Sequence, residues 1–192
     1  DDKSGSFFTE QQLKFGQCLL AAKPAALQLT AEQKQQAWQT YINNKGLSCL
    51  NWTDTALQLR ARVMLLQQQQ NDAGWPDFSD DALLAALPNW LGSYLAQISK
   101  STALAQIPLY EALLQCLSFQ QQQLLNQLLP THWQAPTGSR LSINYLVEGG
   151  PRLSVRVQEM YGQMQSPTLL QGKINITVEL LSPSRQPLQV TQ

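Results

Sequence analysis

The chain has 192 residues, of which 43% are hydrophobic and 14% charged, enough apolar material to bury a core in one domain or two small ones and too much for a disordered segment. Thirteen basic side chains balance thirteen acidic ones, which argues against a generic polyanion-binding protein. No run of about 18 apolar residues is present, and the amino end is acidic and polar, so neither a membrane span nor a signal peptide is expected and the cytoplasm is the expected compartment.

Charge is unevenly distributed. Residues 1–135 carry 8 Lys or Arg against 10 Asp or Glu, whereas residues 136–192 carry 5 against 3. Cys18, Cys49 and Cys116 are odd in number and far apart, a usage expected of small buried thiols in a reducing compartment and not of a disulfide framework.

In chain order, residues 1–12 read as a frayed lead-in, and Phe15-Gly16-Gln17-Cys18-Leu19-Leu20 as a short strand, stopped before Pro24, with nothing to pair with. Residues 1–29 are therefore assigned as a lead-in continuous with a preceding domain, with an unpaired loop as the alternative reading. Residues 30–130 read as helical. Thr30 with Gln33 forms a capping box ahead of Trp38, Tyr41 and Ile42, and Gly46 is the stop. A second helix starts near Asn51 or Thr53, with Ala56, Leu59, Val63 and Leu66 along one face and Arg60 and Arg62 expected on other sides. Ser79 before Asp80 and Asp81 marks a third start, broken at Pro88, and Trp90 to Ile98 continues the helical pattern. Leu109 to Leu117 follows Pro108, and Ser118 with Gln121 caps a last helix that runs to Pro130.

From Pro136 the period becomes two. Leu141, Ile143 and Tyr145; Leu153, Val155 and Val157; and Ile174, Ile176, Val178 and Leu180 each alternate after a glycine-containing turn. In the last of these, Lys173, Asn175, Thr177 and Glu179 are expected on the outer face, and a partner strand is expected to begin at Leu188. Gln158 to Gly162 reads as a helical turn closed by glycine. The expected fold class is α+β: a helical N-terminal part, then a small, mainly antiparallel sheet over residues 131–192, truncated at its C-terminus.

Little in the chain resembles catalytic chemistry. There is no phosphate-cradling glycine loop and no acidic box after a strand. His132 is the sole histidine, in Pro130-Thr131-His132-Trp133, where packing or hydrogen bonding is the simpler role. The cysteines lack zinc-ligand spacing, so no catalytic or metal-binding residue is assigned. Asp72, Asp77, Asp80 and Asp81 fit helix capping better than a calcium loop, and Trp75, Trp90 and Trp133 fit core positions better than base stacking. The candidate nucleic-acid contacts are Arg140, Arg152, Arg156, Lys173 and Arg185. Arg152 and Arg156 alternate with Leu153, Val155 and Val157, which places both arginines on one strand face. A solvated face and an RNA-binding face both remain open at this point.

Several strings, taken in order, carry a resemblance: Trp90-Leu91-Gly92-Ser93-Tyr94-Leu95, Leu129-Pro130-Thr131-His132, Pro136-Thr137-Gly138-Ser139-Arg140, Val155 through Gly162, and Leu180-Leu181-Ser182-Pro183 on to Gln192. Upstream, Leu57 to Val63 and Trp75-Pro76-Asp77 add to it. The series resembles the carboxy-terminal region of HrpB-type, DEAH-class superfamily 2 RNA helicases. The resemblance implies RecA-like motor domains in cis that bind ATP and magnesium and lie before residue 1, no cofactor in this region, and a family pattern that continues past Gln192 with an aromatic and basic tail. It implies an accessory, non-catalytic role, packing on the motor or assisting the binding of single-stranded RNA; the alternative is a protein-interaction module that recruits a partner to the helicase. No helicase motif matches a position here, so no catalytic residue is carried over.

Overall fold

The structure is a computed structural model that describes residues 9–15, 18–25, 29–70, 74–163, 165–182 and 187–191. Its helices are α1 (Ala31–Lys45), α2 (Asp54–Gln69), α3 (Asp80–Ala85), α4 (Leu87–Trp90), α5 (Gly92–Leu95), α6 (Leu109–Leu114) and α7 (Phe119–Leu128). None is long and apolar enough to cross a membrane. The strands are β1 (Thr9–Phe15), β2 (Cys18–Ala25), β3 (His132–Gln134), β4 (Arg140–Asn144), β5 (Arg152–Arg156), β6 (Thr168–Leu169), β7 (Ile174–Asn175), β8 (Thr177–Leu181) and β9 (Pro187–Thr191). Helices followed by a mixed sheet give the α+β class.

Two compact units divide the chain: Asp1–Trp52 with Ser79–Ala112, and Thr53–Phe78 with Leu113–Gln192. Neither is contiguous in sequence. The expected boundary at residue 130 follows the change of secondary structure, whereas the compact units assign α2, α6's last turn and α7 to the same body as the sheet.

In the first unit, β1 and β2 form an antiparallel hairpin, Thr9 opposite Ala25, with an irregularity between Leu13 and Lys14. This corrects the expectation of a frayed, unpaired lead-in. The segment Thr9-Glu10-Gln11-Gln12 lacks apolar alternation and so carries no strand signal. Pro24 lies inside β2, tolerated because every strand of a two-stranded ribbon is an edge. The capping box of α1 is present in both directions: Gln33 N donates to Thr30 Oγ1 (3.2 Å) and Thr30 N donates to Gln33 Oε1 (3.0 Å). Gly46 closes the helix at φ 78°, a left-handed value that favours glycine. Trp38 and Ile42 are buried, and Trp38 Nε1 donates to Ile98 O (3.2 Å). Trp90, also buried, donates to Leu83 O (3.0 Å) and lies 6.5 Å from the Trp52 ring. Trp38 and Trp90 are core residues whose single donor is satisfied within the unit.

In the second unit, five strands are ordered β3-β4-β5-β8-β9. Three neighbouring pairs are antiparallel and β5–β8 is parallel, so the sheet is mainly antiparallel yet mixed. A parallel pair needs a crossover; here residues 157–176 supply it, with a 3-10 turn at Val157–Met160 and the small β6–β7 pair. Ile143, Leu153, Val155 and Val178 are buried from the sheet, as are Leu59, Val63 and Leu66 from α2 and Leu125 and Leu128 from α7.

Four expectations are corrected here. The strand expected from Ile174 to Leu180 is interrupted: Ile174 and Asn175 pair with β6, Ile176 N donates to Pro167 O, and β8 begins at Thr177. Thr177 is only 9% exposed, and Ile174 and Leu180 are half-buried, so burial does not follow strict alternation. Arg62, expected on a side of α2 away from its apolar face, is 3% exposed and so lies in the core as well. Cys49 is half-buried and Cys116 exposed, so neither is a buried thiol, although partial burial pushes both thiols up. The side chain of Cys18 lies outside the described residues. The β8–β9 pairing near Leu188 is present, with Glu179 opposite Val190 and Leu180 opposite Gln189.

Candidate nucleic-acid interface

The register of the five-stranded sheet sorts its side chains by face. Ile143 lies opposite Leu153, and Leu153 opposite Val178, which defines the apolar face. Arg140, Ser142 and Asn144 on β4, Arg152, Ser154 and Arg156 on β5, and Glu179 on β8 therefore share the other face. β3 adds His132 opposite Ser142 and Gln134 opposite Arg140.

This polar face is open at one end and screened at the other. In the row Asn144–Arg152–Thr177, Asn144 Oδ1 accepts from Gln58 Nε2 of α2 (2.9 Å) and from Leu146 N (2.9 Å), and Thr177 is buried. Arg152 in the same row is half-buried, and its Nε is buried without a hydrogen-bond partner. Toward the other end, Arg140, Ser142 and Ser154 are exposed and Arg156 is half-buried. The acidic groups here are engaged: Ser154 Oγ donates to Glu179 Oε2 (2.5 Å), and Arg156 N donates to Glu159 Oε2 (3.3 Å).

Of the five cations expected from the sequence, Arg140, Arg152 and Arg156 are brought onto one face. Lys173 is exposed but sits in the β6–β7 turn, next to Leu170 and Gln171 at φ 51° and 56° and Gly172 at φ 93°, off the five-stranded sheet. Arg185 lies outside the described residues. His132 is exposed, with Nδ1 2.9 Å from Thr131 Oγ1, and so serves no packing role. Among the described residues no three His, Cys, Asp or Glu side chains are grouped as metal ligands.

Sequence reasoning missed the groups that hold this face in place. Arg62 Nε donates to Leu129 O (2.7 Å), and its Nη2 donates to Asn126 Oδ1 (2.7 Å) and Leu125 O (3.4 Å), so the guanidinium closes the carbonyl end of α7. One turn earlier on α2, Gln58 Oε1 accepts from Tyr145 N (2.9 Å). Tyr145 Oη donates to Pro130 O (2.6 Å); burial holds this phenol well above its ordinary range, with Arg62 pulling slightly the other way. The i, i+4 spacing of Gln58 and Arg62 was the available signal, since it puts both on one helix face.

Residues 90–192, more than half of the chain, match the family described as ATP-dependent helicase C-terminal, HrpB_C. The chain belongs to the HrpB helicase C-terminal family. Across all 192 residues, this HrpB-type region is 38% identical to the ATP-dependent RNA helicase HrpB of Escherichia coli strain K12 and spans 24% of that protein. Two crystal structures of the E. coli protein, described as a DExH-box NTPase and as a DEAH/RHA helicase, align over 95% of the HrpB-type chain at 38% identity, with TM-scores of 0.81 and 0.78. It covers 22% and 23% of those chains. It thus corresponds to the C-terminal region of HrpB-type helicases, about a quarter of the length of the curated relative.

Proposed function

We propose that this region is an accessory, non-catalytic part of a bacterial, cytoplasmic ATP-dependent RNA helicase, packing on the motor domains in cis and guiding single-stranded RNA along the polar face of its sheet. ATP and magnesium are then bound by the motor domains. The observation that carries the reading is that strand alternation puts Arg140, Arg152 and Arg156 on one sheet face, with Glu179 the acid set among them. Arginines on an accessible face hold phosphates in register without reading bases, and a few such arginines make an auxiliary, salt-sensitive grip.

In the full-length protein, reversing Arg140 and Arg156 to glutamate is expected to weaken binding of labelled oligouridylate. It should also lower the slope of log affinity against log salt by roughly 0.7 for each phosphate that is no longer neutralised. An unchanged slope assigns the face to a protein partner, the alternative role. A second expectation concerns the isolated region, which should hydrolyse no ATP with or without RNA because it lacks a phosphate loop and a magnesium-binding acid. RNA-stimulated phosphate release in a coupled assay overturns the non-catalytic assignment.

A further inference from the structure

A largely exposed aromatic side chain follows the end of β5 by a single turn. Tyr161 is 69% exposed and follows the 3-10 turn Val157–Met160 directly after Arg156, the last residue of β5. At about 2 Å of rise per residue in such a turn, the Cα atoms of Arg156 and Tyr161 lie roughly 10 Å apart along the chain. The turn is held at both ends: Glu159 Oε2 accepts from Arg156 N (3.3 Å), Gln163 N donates to Met160 O (3.0 Å), and Gly162 reverses the backbone at φ 89°. An exposed aromatic ring fixed on an ordered turn loses little entropy on binding, and its face accepts any nucleobase.

We propose that Tyr161 is a stacking platform for one base of single-stranded RNA, beside a phosphate held by Arg156 and Arg140. This inference rests on the sheet's polar face being the RNA surface. Positive charge on the strand face and an adjacent bare ring are the two elements that single-strand binding sites combine. Phe119 makes the contrast. It is equally bare, at 72% exposed, but opens α7, whose sequence Phe119–Leu128 carries no basic residue. It therefore takes no part in RNA binding.

The test uses the full-length protein and fluorescence anisotropy with fluorescein-labelled oligouridylate. Tyr161→Ala is expected to weaken binding roughly five- to 150-fold, the loss of one stacked base, with the salt slope unchanged. Tyr161→Phe, Tyr161→Trp and Phe119→Ala should retain affinity. Replacing one uridine at a time with 5-iodouridine and irradiating should yield a crosslink at Tyr161. Wild-type affinity for Tyr161→Ala, or an equal loss for Phe119→Ala, overturns the inference. If Tyr161→Ala is silent while the Arg140 and Arg156 reversals lower affinity and slope, the stacking is wrong and the basic face stands. If all are silent, both fall and the face belongs to an acidic protein segment.

Discussion

Replacing Arg62 with methionine is expected to destabilise the second unit by about 2 to 3 kcal/mol, the scale for losing a buried hydrogen bond from a charged donor. The guanidinium is 3% exposed and donates to Leu125 O, Leu129 O and Asn126 Oδ1. Methionine fills the space but leaves Leu129 O without its charged donor, a loss worth about 1.5 to 3 kcal/mol, while Leu125 O keeps the helical bond from Leu129 N (2.9 Å) and Asn126 is exposed to solvent. Arg62→Lys keeps the charge without the planar fork that reaches three acceptors, so an intermediate loss is expected. Denaturant unfolding measures the energies, and amide exchange in the last turn of α7 should accelerate first. A loss below about 1 kcal/mol for methionine shows the clasp to be dispensable.

The second large effect is Ile176→Ala, expected to cost about 4 kcal/mol. Ile176 is fully buried where the chain leaves β7 for β8, and truncation there removes apolar packing and leaves a cavity. Thr177→Ala is expected to cost about 1.5 kcal/mol, more than a surface threonine, because Thr177 is only 9% exposed. Equal losses for the two substitutions, measured by denaturant unfolding, sink the assignment of Ile176 to the core.

The helix starts were legible because capping is local chemistry: Thr30, Ser79 and Ser118 each lie within three residues of the backbone N–H they accept from. Alternation likewise marks β4 and β5, since Leu153 and Val155 face one way and Arg152, Ser154 and Arg156 the other. What failed was non-local. β3 has only three residues, too short to show a period, and is defined by its pairing with β4. The β6–β7 pair splits a run of residues whose alternation is continuous in the sequence. Residue type alone puts Arg62 at the surface, because the acceptors that bury it lie 63 to 67 residues away. In the candidate site, the face of Arg152 and Arg156 follows from β5 alone. That Arg140 shares it while Lys173 does not requires the sheet register.

The clasp from α2 also sets an order of events in biosynthesis. Gln58 and Tyr145 are 87 positions apart, so at a synthesis rate of about 5–20 residues per second the helix waits roughly 4 to 17 seconds for the strand it will hold. During that interval Arg62 remains hydrated, since the carbonyls that later replace its water have not been made. Residues 79–112, which belong to the other unit, emerge meanwhile. A segment beginning at residue 90, where the family match starts, carries the whole five-stranded sheet but not the helix that fastens it, so proteolytic cleavage between α2 and α7 would cut the covalent link between the sheet and its fastener.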